Sequence, residues 1–194
     1  MINIQNFNKQ ISTEKVLFFD LDGTLIDTDY ANFISFQKAI QAVIKPNQQI
    51  EFNPNERFNR TILKREYPNL KKNEYNEIIH RKELYYSKHL PLTKPIDVVI
   101  NILTTYCQSN VTVLVTNCRR ERAIETLTQH NLIDLFTHRF YRNPNCESLH
   151  INKFTEALNT LKFDTRNIIV FENEAFEENE AIMAGIPIEN IITI

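Results

Sequence analysis

Asp20 and Asp22 are the side chains of this sequence best placed to do chemistry. They follow the apolar run VLFF at 16–19 and are followed in turn by Gly23 and Thr24. Gly23 allows the chain to turn, so both carboxylates can come to one side of the strand end. Two carboxylates this close repel each other unless one is protonated or a cation lies between them. Since all-oxygen ligands of this kind suit Mg²⁺, the pair indicates a candidate magnesium site.

Two other apolar runs of the chain also end in polar residues. Thr116 and Asn117 follow one run, and Glu172 and Asn173 follow another. In an open α/β sheet, ligands bind beyond the carboxyl ends of the strands, near the point where the strand order reverses. We therefore expect these side chains to share a site with the two aspartates.

The elements that hold these side chains follow from an alternation of apolar runs and helix-like stretches. Runs typical of buried parallel strands lie at 16–20, 111–116, 138–141, 167–171 and 190–194. Helix-like stretches lie at 95–107, which opens with Pro95, and at 119–130, 152–163 and 176–184. The alternation predicts a Rossmann-like parallel sheet in a three-layer α/β/α core.

Residues 29–91 interrupt this alternation, because they exceed the length of a single crossover helix and contain no convincing strand. Three segments carry apolar residues at helical spacing: 30–44, 54–66 and 71–90. We predict a helical cap at 29–91, inserted into a core formed by 1–28 and 92–194. Arg60 and Lys64 lie four residues apart on one cap segment. They could meet an acidic substrate or simply form a solvated helix face.

The composition of the chain excludes several classes of binding site. Its 194 residues include 22 Lys and Arg against 24 Asp and Glu, a net charge of -2, so we expect no nucleic-acid or membrane partner. The only glycines are Gly23 and Gly185. This count excludes the glycine-rich loops of dinucleotide and Walker A sites and the nucleophile-elbow serine.

Cysteine usage and hydrophobicity indicate the compartment. Cys107, Cys118 and Cys146 form no CxxC pair, which favours a reducing environment. No stretch has the pattern of a signal peptide or the roughly 18 apolar residues of a membrane span. We therefore expect a cytoplasmic protein.

The segment DLDGTLIDT at 20–28 resembles the first motif of the haloacid dehalogenase-like (HAD) superfamily residue by residue. VLVTN at 113–117 resembles the second motif, Lys153 the third, and FENEAFEENEAIMAGIP at 171–187 the fourth. A helical insert between the first and second motifs is common in the phosphoglycolate phosphatase and β-phosphoglucomutase branch of this family. The resemblance implies the HAD fold and Mg²⁺-dependent phosphoryl transfer.

The resemblance also implies a role for each matched residue. Asp20 would attack phosphorus to form an aspartyl-phosphate, and Asp22 would act first as an acid and then as a base. Thr116 would donate to the phosphoryl oxygens, although a threonine here could equally cap the next helix. Lys153 would compensate charge in the transition state. The remaining assignments are Gly23, Thr24 and Asn117 to phosphate binding, and Asp20, Asp22, Glu172 and Asn173 to Mg²⁺.

Asn173 departs from the family pattern, which normally supplies an aspartate to the metal at this position. An amide oxygen can bind Mg²⁺ but removes one negative charge, so we expect weaker metal binding or partial replacement by Glu172. The favoured function is a Mg²⁺-dependent phosphatase for a small phosphorylated metabolite; the alternatives are a catalytically impaired binding or regulatory protein and, third, a phosphomutase. Four nearby glutamates are expected to complement a helix dipole and not to bind metal: Glu174, Glu177, Glu178 and Glu180.

Overall fold

The computed structural model describes residues 11–142 and 151–194, so Cys146 lies outside the described residues. The chain divides into two compact units. The second unit is Asp27–Lys94, and the first is formed by the described residues on either side of it. Within the described ranges, no helix combines the length and hydrophobicity that a membrane span requires.

The first unit is built on a five-stranded parallel sheet. Its strands are β1 (Val16–Phe19), β4 (Val111–Val115), β5 (His138–Phe140), β6 (Ile168–Glu172) and β7 (Ile191–Thr193). They lie in the order β5-β4-β1-β6-β7, so the chain fills one side of β1 before it crosses to the other. The two-residue strands β2 (Ile26–Asp27) and β3 (Lys94–Pro95) pair separately, where the chain passes between the units.

The second unit is helical. Its helices are α1 (Asp29–Val43), α2 (Arg60–Glu66) and α3 (Lys72–His89). Phe36, Leu63 and Ile78, one from each helix, belong to its hydrophobic core. Lys64 of α2 lies over one aromatic ring of its own unit, with its Nζ 5.2 Å from the centre of the Tyr75 ring.

Four helices of the first unit cover the two faces of its sheet. They are α4 (Asp97–Tyr106), α5 (Arg120–Gln129), α6 (Lys153–Leu161) and α7 (Ala175–Met183). Phe19 of β1 packs in a cluster with Leu103 of α4 and Leu127 of α5, whereas Phe18 packs in another with Phe154 of α6. Because alternate side chains of a strand point to opposite faces, the clusters lie on opposite sides of the sheet. The predicted three-layer α/β/α core is confirmed.

Two helices begin two or more residues later than the sequence pattern predicts. α2 begins at Arg60, and not near residue 54, because the side chain of Asn59 caps it by accepting two backbone N–H bonds. α4 begins at Asp97 and not at Pro95, because Pro95 belongs to β3 and the N–H of Ile96 donates to a carbonyl of the turn after β1.

The sheet register aligns the strand ends that carry polar residues. Phe19, the last residue of β1, is in register with Phe171 of β6. The residues that follow Phe19 and Phe171, Asp20 and Glu172, therefore lie side by side at the carboxyl edge of the sheet. Thr116 follows the last residue of β4, which flanks β1 on the other side.

Candidate active site

Asp20 is held in place by the sheet itself. Its N–H donates to the carbonyl of Phe171 at 3.1 Å, and the preceding ring of Phe19 stacks on the Phe171 ring with centroids 4.7 Å apart. The Asp20 residue is only 7% exposed. Burial is the largest factor that raises the pKa of its carboxyl group; the charge of Lys153 opposes the rise and that of Glu177 adds to it.

The turn after Asp20 closes on itself and on Asn173. Gly23 has a φ of 86°, and its N–H donates to the carbonyl of Ile26 at 2.8 Å. The hydroxyl of Thr24 donates to Asn173 Oδ1 at 3.0 Å. A Cβ at Gly23 would collide with Nδ2 of Asn173 and lie 3.0 Å from its Cγ, so a larger residue here would displace the Asn173 amide.

Lys153 brings an ammonium group to Asp20 from the start of α6. Asn152 caps this helix by accepting two backbone N–H bonds, which sets the direction of the first helical side chain. Lys153 Nζ is buried and lies 2.8 Å from both Asp20 Oδ1 and Glu172 Oε2, and it also contacts Glu177. Burial acts to lower the pKa of this ammonium, but the three carboxylates outweigh burial and raise that pKa above its usual value. Lys153 is therefore charged at neutral pH.

Glu172 and Glu177 complete an acidic group around Lys153. Glu172 is fully buried, and its Oε1 accepts two backbone N–H bonds of 2.9 and 3.2 Å. Burial, followed by the charge of Asp20, raises the pKa of Glu172 to about 9. Burial also acts to raise the pKa of Glu177, but its contact with Lys153 lowers that pKa below the usual value. The two glutamates thus share one cation unequally.

Sequence reasoning missed Glu177. The residue does lie in the first turn of α7, as the helix-dipole interpretation requires. Its side chain also reaches the site, where Oε1 accepts from Asn117 Nδ2 at 3.0 Å and Oε2 contacts Lys153. The available signal was its position in the first turn of the helix that follows the strand ending at Glu172.

Thr116 lies buried at the end of β4. Its Oγ1 accepts the N–H of Cys118 at 3.1 Å, so the hydroxyl proton can be donated to another acceptor. The helix-cap interpretation of Thr116 is wrong, because α5 begins at Arg120 and the residue at its cap position is Arg119.

Asp22 has a different cationic partner from Asp20. Its Oδ2 contacts Nη2 of Arg122 on α5, and Nε of the same guanidinium donates to Cys118 Sγ at 2.9 Å. Arg122 was also missed from the sequence. Nothing in its local pattern distinguishes it from a solvated arginine on the helix that the sequence predicts at 119–130.

Three carboxylates of the site could hold a metal ion together. Asp20, Glu172 and Glu177 each offer one oxygen, and these oxygens lie within 4.8 Å of one another. All-oxygen donors suit Mg²⁺, and the raised pKa values of Asp20 and Glu172 show that Lys153 alone does not offset the burial and mutual repulsion of these carboxyl groups. The donor set therefore fits a divalent cation. The structure adds Glu177 to the residues named from the sequence, and it turns the amide oxygen of Asn173 toward Thr24.

Comparison with known proteins shows the family to which the chain belongs. The family model for haloacid dehalogenase-like hydrolases matches residues 17–191. A comparison with curated proteins finds no match for the chain.

Solved structures of low sequence identity share the fold. A haloacid dehalogenase-like family hydrolase from Streptococcus pneumoniae has a TM-score of 0.71 at 18% identity, over 91% of this chain and 83% of the other. A predicted phosphoglycolate phosphatase from Haemophilus somnus 129pt has a TM-score of 0.71 at 19% identity, over 90% and 84%. YfnB from Bacillus subtilis, whose structure is bound to magnesium, has a TM-score of 0.63 at 14% identity, over 89% and 86%. These structures establish the fold alone, whereas the family match spans most of the sequence. The chain belongs to the haloacid dehalogenase-like hydrolases.

Proposed function

We propose that this hydrolase is a phosphatase that uses Mg²⁺ and cleaves a small phosphomonoester through an aspartyl-phosphate on Asp20. The observation that carries the proposal is the buried contact of 2.8 Å between Asp20 Oδ1 and Lys153 Nζ, which joins two of the four motifs. Membership of a hydrolase family supports a hydrolytic reaction. The fold shared with a predicted phosphoglycolate phosphatase supports a phosphate ester as the substrate class.

Asp20 acts as the nucleophile in this proposal. Lys153 holds one of its oxygens, so the carboxylate loses little further rotational freedom when phosphorus approaches. The Asp20 O–P bond forms as the P–O bond to the leaving alcohol breaks, and the ammonium of Lys153 neutralises charge on the phosphoryl oxygens. Water then attacks phosphorus, which frees inorganic phosphate and restores the carboxylate.

Asp22 moves the protons. It gives one to the leaving alkoxide in the first step and takes one from the attacking water in the second, so the cycle returns it to its starting state. Thr116 and Asn117 donate hydrogen bonds to the phosphoryl oxygens. Gly23 and Thr24 shape the turn that positions Asp22.

The carboxylates of Asp20, Glu172 and Glu177 would hold Mg²⁺, and Asp22 and Asn173, the other two ligands expected from the sequence, remain proposed ligands beside them. When bound, the ion supplies positive charge against the phosphoryl oxygens and the crowded carboxylates. The magnesium in the similar structure of YfnB supports this choice of ion. In this arrangement Glu177 contributes the negative charge that the site lacks at Asn173.

Asn173 favours one alternative function. With an amide in place of the usual aspartate, the chain could be a catalytically impaired protein that binds a phosphorylated ligand. A phosphomutase, the third possibility from the sequence, would pass the phosphoryl group to a sugar hydroxyl instead of water.

A phosphate-release assay against a panel of phosphomonoesters, with and without Mg²⁺, tests the proposal. We expect Mg²⁺-dependent hydrolysis that Asp20→Asn abolishes. Asp134→Asn is the matched control, because Asp134 is an exposed aspartate of the same unit. A folded protein that binds inorganic phosphate but hydrolyses no ester at any Mg²⁺ concentration would favour the binding protein, and phosphoryl transfer to a sugar without phosphate release would favour the mutase.

A further inference from the structure

We propose that Arg122 is a positioning residue that fixes the carboxylate of Asp22 for proton transfer. The inference rests on the proposed function and concerns a residue that none of the four motifs includes. Arg122 Nη2 contacts Asp22 Oδ2, and the two side chains are 15% and 13% exposed. The contact therefore forms largely out of water, where a charged pair is less screened than on an open surface.

The guanidinium is held at two points. Nη2 contacts Asp22, while Nε donates to Cys118 Sγ at 2.9 Å. A planar guanidinium bound through two different nitrogens has a defined orientation, which an ammonium group on a flexible stem does not provide. Arg122 thereby holds Oδ2 of Asp22 in a fixed direction, and the proton that Asp22 transfers is carried by Oδ1, the other oxygen of the same carboxyl group.

The same connection reaches the residues proposed to hold the phosphoryl group. The N–H of Cys118 donates to Thr116 Oγ1 at 3.1 Å, so Thr116, Cys118, Arg122 and Asp22 form one chain of contacts. These contacts therefore position the Asp22 carboxylate relative to Thr116, which is proposed to bind the phosphoryl group, as well as relative to the turn that contains Asp22.

Asp20 and Asp22 contact different cationic side chains, so the role of Arg122 can be tested separately from that of Lys153. Asp20 contacts Lys153, whereas Asp22 contacts Arg122. Loss of Arg122 leaves the contact between Asp20 and Lys153 in place. The expected defect is thus confined to steps in which Asp22 transfers a proton.

Leaving-group dependence of hydrolysis tests this expectation. An alkyl phosphate needs protonation of its leaving oxygen, whereas p-nitrophenyl phosphate needs it far less. General acid catalysis contributes about 10²–10⁴-fold, so Arg122→Met should reduce kcat/KM for the alkyl phosphate by roughly 10- to 100-fold, with a much smaller loss for the nitrophenyl ester. Arg122→Lys keeps the charge and should retain part of the activity toward the alkyl phosphate. Arg120→Met, an exposed arginine of the same helix, is the matched control and should behave as wild type.

A double-variant comparison and a crystal structure complete the test. In an Asp22→Asn background, Arg122→Met should cause no further loss; equal losses on both esters, or fully additive losses, would overturn the inference. A crystal structure of Arg122→Met should show Asp22 in a new side-chain conformation with Lys153 still on Asp20. If Asp22 keeps its wild-type conformation in this variant, the inference is overturned, whether or not the wild type hydrolyses an ester. Absence of hydrolysis by the wild type would refute the proposed function, which is a separate result.

Discussion

Substitution of Gly23 by alanine tests the fit between the catalytic turn and Asn173. Gly23 has a φ of 86° and Gly185 a φ of 92°, so alanine meets nearly the same backbone strain at either position, about 1–2 kcal/mol. A Cβ at Gly185 finds only Thr165 Cγ2, at 3.9 Å. At Gly23 it collides with the Asn173 amide, and such overpacking adds about 1–3 kcal/mol.

The expected result is therefore a difference between two matched variants. Gly185→Ala should lower the free energy of unfolding by about 1–2 kcal/mol and leave kcat/KM unchanged, whereas Gly23→Ala should lower it by about 2–5 kcal/mol. Gly23→Ala should also reduce kcat/KM, because the collision displaces the turn that positions Asp22. Urea unfolding and hydrolysis of an alkyl phosphate, whose leaving oxygen needs the proton from Asp22, measure the two effects. Equal losses of stability and activity in the two variants would refute the reasoning.

Three further predictions concern the metal site, the core and the helical unit. Glu177→Gln removes one carboxylate of the acidic group and should raise the Mg²⁺ concentration for half-maximal activity, while Asn173→Asp should lower it; titration curves that coincide with wild type would contradict both. Phe19→Ala should cost about 3–5 kcal/mol in urea unfolding, because the ring is fully buried, and a loss below about 1 kcal/mol would be inconsistent with its packing. Burial, followed by the charge of Lys38, whose Nζ lies 3.0 Å from Nε2, lowers the pKa of His89 below its usual 6.5. As the pH falls, His89 is therefore protonated at a higher pH in the unfolded chain than in the folded one. Neutral His89 makes its full contribution to the free energy of unfolding above about pH 6.5, and this contribution decreases below that pH. His89→Gln should reduce the slope of the free energy of unfolding against pH below about pH 6.5, and an unchanged slope would disprove the prediction.

The fold could be predicted because buried parallel strands leave continuous apolar runs in the sequence. β1 and β6 have hydrophobic clusters on both faces, and each reads as such a run followed by a carboxylate. Their parallel register then places Asp20 beside Glu172 without further information. Weaker local signals explain the shifted helix starts, since the capping role of Asn59 could be identified only from its hydrogen bonds.

The contacts of Glu177 and Arg122 could not be predicted in the same way. Each side chain lies on a helix, and its partner is fixed by how that helix packs over the sheet edge. Arg122 and Asp22 are 100 residues apart in sequence, and no local pattern links them. Glu177 lies among other glutamates that occupy the same helix start, so composition alone could not select it.

The most direct measurement of the central claim is to identify the residue that carries the phosphoryl group during turnover. The enzyme would be mixed with a ³²P-labelled phosphomonoester and Mg²⁺, quenched in acid within the first turnover, and digested for peptide mapping. We predict label on the peptide that contains Asp20, and none with Asp20→Asn. Label on another residue, or phosphate release by Asp20→Asn at the wild-type rate, would contradict the account.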